Sequence, residues 1–255
     1  MQAFLSGFAH RITRLFLVPL LVLSVSACAT TAGNSAGGGE IREMGDPLEP
    51  LNRTIFGINE FLDIFIVGPF AAVYRTVLPD LVQDAVRDFL RNLESPIVIA
   101  NQLLQGDWEG AGNAAGRLGV NSTIGVLGLF DAADPLFSLP YEKEDFGQTL
   151  ATWGADDGFY LVLPLLGPSN LRDTFGLVVD SFADPLNMYA RNTDRLWISV
   201  TRGTARGIDT RARLNSVVED VRMNSLDPYA TYRNMYKQSR ENDIADGNVQ
   251  QPDIP

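Results

Sequence analysis

Hydrophobic positions along much of this chain recur at steps of three and four, the period of a helix with one buried face. Leu81, Val82, Ala85, Val86, Phe89, Leu90 and Leu93 form one such face. They predict a helix opened by Asp80, with Gln83 at the capping-box position. The same spacing follows Ser169, a candidate cap, through Phe175, Val178, Val179 and Phe182, with Asp173 in the first turn. Thr193 opens a predicted helical stretch to about Val221, in which Leu196, Trp197, Val200, Ile208, Leu214, Val217, Val218 and Val221 oppose many arginines. Asp227-Pro228 starts a last helix carrying Tyr229, Tyr232 and Tyr236. No long run alternates as a strand would, and no internal repeat is visible. The pattern predicts a mainly α body over residues 46–239.

Three segments depart from a soluble helical pattern. Ile55–Tyr74 is nearly apolar enough for a membrane but carries Glu60 and Asp63 and is interrupted by Pro69. Two acids do not suit a spanning helix, so the segment is expected at a lipid interface or in a deep packing site. Gly106–Phe130 is dense in glycine, and Gly112 with Gly116 is a small-xxx-small pair that permits close helix contact, in a membrane or in a soluble core. Phe159–Pro168 is apolar, but its prolines argue against one continuous helix, which leaves a buried loop or one lying in lipid.

The ends carry different signals. Arg11 and Arg14 precede an apolar run from Leu15 to Leu23, too short to span a bilayer and of signal-peptide length. The run ends in Leu23-Ser24-Val25-Ser26-Ala27-Cys28, which resembles a bacterial lipobox. That resemblance implies a signal peptide over 1–27 and lipid attachment at Cys28. Ala29 at the next position resembles outer-membrane rather than inner-membrane sorting. Residues 28–45, rich in Gly, Ala, Ser and Thr, read as a lipid-anchored flexible tether. Residues 240–255 have no apolar period and are expected to be a disordered tail.

Charge and composition then exclude whole classes of chemistry. The 255-residue chain has a net charge of −11. Removing residues 1–27 takes away Arg11 and Arg14 and no acid, which moves it to −13. An acidic chain lacks the basic footprint of nucleic-acid binding. The one histidine, His10, lies in the predicted signal, and the one cysteine is Cys28. Ser-His-Asp and Cys-His catalysis and His-ligated metal sites are therefore unavailable to the mature chain. The Gly33-Asn34-Ser35-Ala36-Gly37 match to a nucleophile elbow sits in the tether and has no histidine partner. Carboxylate-only chemistry survives, with Glu144-Asp145 and Asp156-Asp157 as the closest pairs; both are expected in solvated turns. No metal and no cofactor is expected.

A family resemblance runs through the body. Asp46-Pro47-Leu48-Glu49-Pro50-Leu51-Asn52-Arg53, then Phe56, Asn59 and Leu62-Asp63, resemble the opening of the MlaA/VacJ family of outer-membrane lipoproteins. The resemblance continues at Asn101-Gln102-Leu103-Leu104-Gln105-Gly106, Arg117, Asn121-Ser122-Thr123-Ile124-Gly125 and Gly128-Leu129-Phe130-Asp131. Asp145-Phe146-Gly147-Gln148-Thr149-Leu150, Trp153-Gly154 and Gly158-Phe159-Tyr160 match its most specific block, and Asp227-Pro228-Tyr229, Arg233 and Tyr236 fit near the end. Asp88-Phe89 and Leu118-Gly119 depart from the family pattern, where local packing is expected to differ.

The resemblance implies a ring-like assembly of amphipathic helices embedded in one leaflet of the outer membrane, with a central channel. It implies removal of mislocalised phospholipids from the outer leaflet. A trimeric porin and a periplasmic lipid-carrier protein are the implied partners. Tyr160, Leu163, Leu165, Leu166, Arg202 and Arg206 are the channel or gate candidates, and Ile55, Phe61, Phe65 and Phe70 the membrane-interface candidates. The alternative is a structural or porin-binding adaptor lipoprotein with no transfer activity. A lipid-modifying enzyme, the third reading, would need an unusual carboxylate mechanism.

Overall fold

A computed structural model describes residues 46–245. Cys28, the signal, the tether and the end of the tail lie outside the described residues. The chain forms α1 (Glu49–Leu62), a π-helical turn (Asp63–Val67), α2 (Gly68–Val77), α3 (Asp80–Gln105), α4 (Trp108–Thr123), α5 (Ala133–Phe137) and α6 (Phe146–Thr152). A two-stranded hairpin follows, β1 (Tyr160–Leu163) and β2 (Gly167–Asn170). Then come α7 (Leu171–Ala183), α8 (Pro185–Asn192), α9 (Trp197–Arg213), α10 (Asn215–Asn224) and α11 (Pro228–Ile244). The mainly α class agrees with the hydrophobic pattern.

Packing closes a circuit. α3 meets α6, α6 meets α7, α7 meets α8, α8 meets α9, and α9 returns to α3. α4 lies along α3, α2 along α9, and α11 bridges α6, β2 and α10. α6 and α7 cross in backbone contact. A Cβ built at Gly176 would stand 2.4 Å from the Gly147 nitrogen, so only glycine lets the two backbones touch there.

Local signals differ from the expected ones at several ends. Asp80 does not cap α3; Pro79 occupies that place, and the Gln83 amide instead donates to the Leu78 carbonyl at 2.8 Å, tying off the end of α2. Asn170, not Ser169, caps α7 by accepting from the Asp173 N–H at 2.6 Å. Ser169 is buried against Thr174, 3.0 Å from its hydroxyl. The stretch from Thr193 to Val221 is two helices broken at Leu214, and it starts at Trp197 because Asp194 takes a left-handed φ of 54°. The last helix runs past the expected boundary at 239 to Ile244, because Arg240 is buried between Asp145 and Asp173. Pro69 is accommodated by the π turn before it, where the Gly68 N–H reaches back five residues to the Asp63 carbonyl. Among the glycines of α4, Gly112 touches nothing and Gly116 meets only a Leu139 methyl, so this pair marks no helix crossing.

The interior is partly polar and the exterior is unusually apolar. The apolar core is a small cluster of Tyr160, Val162 and Tyr229, with Ile55, Phe56 and Tyr236 packed on it. Phe56 and Tyr229 meet edge to face at 5.7 Å. Asn52 is buried and pins the hairpin to α1: it donates to the Tyr160 carbonyl at 3.0 Å and accepts from the Val162 N–H at 3.0 Å. Gln83, Asn101, Gln102, Gln148 and Thr149 are also buried. Outside, Ile58, Phe61, Ile64, Phe65, Phe70, Val73 and Val77 leave one face of α1–α2 bare, and Phe175, Val178 and Phe182 do the same on α7. Helix Glu49–Val77 is long and apolar enough to cross a membrane by length and composition, and its apolar window is only 6% buried. Faces of this extent are rare on soluble monomers.

Candidate functional site

The acids that made Ile55–Tyr74 anomalous are turned away from its bare face. Asp63 accepts from Arg211 at 2.8 Å and from Arg222 at 2.7 Å, and Glu60 accepts from Arg222 at 3.1 Å. The segment is thus two-sided, with aromatic residues outward and carboxylates clamped inward.

Inside the helix circuit lies a cavity of about 890 Å³. α3 contributes Arg87, Arg91 and Glu94; α7 contributes Asp173, Leu177 and Asp180; α9 contributes Arg202, Arg206, Asp209 and Arg213. Helical period explains the wall: residues 87, 91 and 94, and residues 202, 206, 209 and 213, each fall on one face. The segment before α6 adds Tyr141, Lys143 and Asp145, the hairpin adds Leu163 and Leu166, and α11 adds Tyr236 and Arg240.

The wall is lined with ion pairs. Arg202 is paired with Asp184, and Arg206 with Glu94. Arg213 meets Asp209 at 3.1 Å and Asp84 at 3.2 Å. Arg240 holds Asp145 at 2.6 Å and Asp173 at 2.7 Å. Burial by itself would push the Asp145 carboxyl up, but the hydrogen bonds and charge of Arg240 outweigh it and hold the group below its ordinary range. Asp184 is lowered against burial in the same way, by Arg202 and by the Asn187 and Leu186 N–H groups. Glu94 goes the other way: burial outweighs Arg206 and Arg202 and raises it. Asp180 is also raised by burial, although the Phe146 N–H and the Asn101 amide bind it.

The sequence-predicted residues separate into groups. Leu163, Leu166, Arg202 and Arg206 all reach the cavity wall. Leu165 sits at the hairpin tip, 72% exposed and at φ 66°. Tyr160 does not belong with them: it is fully buried in the core cluster, because strand alternation points it away from the cavity. Phe61, Phe65 and Phe70 lie on the bare face, whereas Ile55 packs against the core cluster. Cys28 lies outside the described residues. Glu144-Asp145 is no solvated turn: Glu144 is buried, and Asp145 caps α6 by accepting from the Gln148 N–H at 3.0 Å. Of the other pair, Asp156 is exposed and Asp157 half-buried, in irregular backbone before β1.

Arg91 and Tyr141 were not legible as site residues. The signal for Arg91 was its place with Arg87 and Glu94 at i, i+4 and i+7, opposite the apolar face of α3. Nothing in the sequence aimed Tyr141 at that face.

A family profile described as MlaA lipoprotein matches residues 44–243. The intermembrane phospholipid transport system lipoprotein MlaA of Escherichia coli is 35% identical over 240 residues, covering 91% of this chain and 92% of that protein. The protein of the same name from Haemophilus influenzae is 28% identical over 241 residues, 93% of each. A structure solved in work on the structural basis for maintenance of bacterial outer membrane lipid asymmetry superposes with a TM-score of 0.69. It is 32% identical, covering 78% of this chain and 99% of that one.

Proposed function

The chain belongs to the MlaA lipoprotein family, and from that premise we propose that it removes mislocalised phospholipids from the outer leaflet of the outer membrane and so maintains lipid asymmetry. The observation that carries this reading is the pairing of an ion-lined cavity with bare apolar outer faces. A lipid has the opposite needs at its two ends, and this arrangement meets both. Apolar helix faces bury in acyl chains at about 25 cal/mol per Å², while the cavity receives a charged headgroup that could not cross hydrocarbon alone. Moving a lipid breaks no bond, so no catalytic set is required.

In this reading Cys28 carries the acyl anchor on the periplasmic side, a trimeric porin holds the protein, and a periplasmic lipid carrier takes the cargo. Leu163, Leu165 and Leu166, in and beside the hairpin turn, act as the gate. Gly158 and Gly167, both at positive φ, bracket that segment.

The test is outer-leaflet-specific labelling of surface phospholipid. Deletion raises the label; the wild-type gene returns it to baseline; a Leu177→Trp protein, obstructing the cavity wall at normal abundance, does not. An unchanged label on deletion, with the protein present and porin-bound in the parent, would replace lipid removal with the adaptor reading.

A further inference from the structure

Seven basic side chains line the cavity, and five of them are already neutralised. Arg87, Arg202, Arg206, Arg213 and Arg240 each hold a carboxylate at ion-pair distance. Arg91 and Lys143 hold none among the described residues. The Arg91 guanidinium lies instead over the ring of Tyr141, its central carbon 4.2 Å from the ring centroid. Burial works against its charge and the Tyr141 side chain offsets part of that cost, yet arginine stays protonated in proteins. Glu94, one turn along α3, is engaged by Arg206 and does not neutralise it. Across the cavity Arg202, though paired with Asp184, keeps a buried Nη1 with no hydrogen-bond partner.

A desolvated cation resting on an aromatic shelf, with Asp88 acting on it only at longer range and no carboxylate at ion-pair distance among the described residues, has its donor fork available. That fork matches the two non-bridging oxygens of a phosphate diester, and the shelf fixes its plane. Resting on the reading of this cavity as a phospholipid passage, we propose that Arg91, held flat on Tyr141 and assisted by Lys143, is the seat at which the lipid's phosphate is recognised. The neutralised arginines around it set a background from which this point stands out to an anion. Free phosphate offers the same chemistry, so the test separates the two sources.

The measurement is native mass spectrometry of the full-length protein in detergent, offered phosphatidylethanolamine and a diacylglycerol with the same acyl chains. Wild type is expected to retain the phospholipid in preference. Arg91→Gln lowers the ratio of phospholipid to diacylglycerol about tenfold, the scale of a charge-assisted hydrogen bond, and Arg91→Lys recovers part of it. Should Arg91→Gln fail to melt cooperatively, Lys143→Gln, on an exposed side chain, carries the same comparison with a smaller drop. An unchanged ratio in the folded variant overturns the seat. So does displacement of the phospholipid by millimolar inorganic phosphate, which would make the site one for free phosphate. Equal retention of both lipids by wild type also overturns the seat but leaves the passage standing. Retention of neither overturns the passage and the seat together.

Discussion

Replacing Gly176 by alanine adds one methyl at the crossing of α6 and α7, and its sign is set by what that methyl meets. The new Cβ would lie 2.4 Å from the Gly147 nitrogen, 2.8 Å from the Gly147 Cα and 3.0 Å from the Phe146 carbonyl carbon. All three are backbone atoms, which cannot rotate aside, so the helices must part by about 1 Å to restore contact distance. Alanine gains about 1 kcal/mol over glycine in a helix. Against that stand about 1–3 kcal/mol of overpacking and the loosening of a buried charge cluster. That cluster, Arg240 between Asp145 and Asp173, sits on the same crossing; breaking a buried pair costs about 3–5 kcal/mol. The net expectation is a loss of about 2 kcal/mol or more, a melting point lower by about 4–8 °C for a domain of this size. Gly112→Ala is the internal control. Nothing lies within 4 Å of its Cβ, so the helical gain is uncompensated and the melting point rises by about 1–4 °C. Thermal unfolding of the full-length proteins in one detergent, followed by circular dichroism, reads both. Equal melting points for Gly176→Ala and wild type, or a fall in Gly112→Ala as deep as in Gly176→Ala, would refute the account of the crossing.

Asn52→Leu leaves the Tyr160 carbonyl and the Val162 N–H buried without partners, at about 1–3 kcal/mol each; faster protease cleavage within 160–170 is expected, and wild-type resistance would count against Asn52 as the pin. Asp145 predicts an acid-side loss of stability. Its folded value lies below the ordinary one, so its contribution is fully present above the unfolded value, about 3.9, and is lost as pH falls through the folded value. Asp145→Asn should be less stable than wild type near neutrality, and the gap should narrow below about pH 4; a gap constant with pH in acid-unfolding curves would exclude the charge as its source.

The helical class and the stretches that became α3, α7, α9–α10 and α11 could be read from the chain because they depend on local period. What could not be read depends on partners far away in sequence. Glu60 and Asp63 spoke against a spanning helix, but what holds them could not be read: Arg222 and Arg211 lie 162 and 148 residues downstream. Arg240 looked like the start of a tail because its two carboxylates lie 67 and 95 residues upstream. Tyr160 looked like a lumen residue because a four-residue strand is too short to declare which of its faces turns inward. Gly112 and Gly116 had the right spacing for a helix contact, while the glycines that make one, Gly147 and Gly176, sit on different helices and form no local motif. Arg202 and Arg206 illustrate the opposite case: a single helical face carried them to the wall.

The π turn at Asp63–Val67 is, in effect, an extra tooth in a gear. A regular helix from Glu49 to Val77 would keep one phase throughout, with each residue 100° on from the last. The wide turn inserts about one residue's worth of rotation without adding a loop. Just before it and at its first residue, Glu60 and Asp63 mesh with Arg222 and Arg211. Downstream, Tyr74 meshes with Asp209, its hydroxyl donating across 3.0 Å. Two polar engagements at different phases are thereby served by one unbroken rod, and Phe61, Phe65 and Phe70 still share the outside. Length along this rod is consequently a phase setting: losing one residue between 64 and 67 would leave composition and hydropathy almost untouched, yet turn everything after it out of mesh.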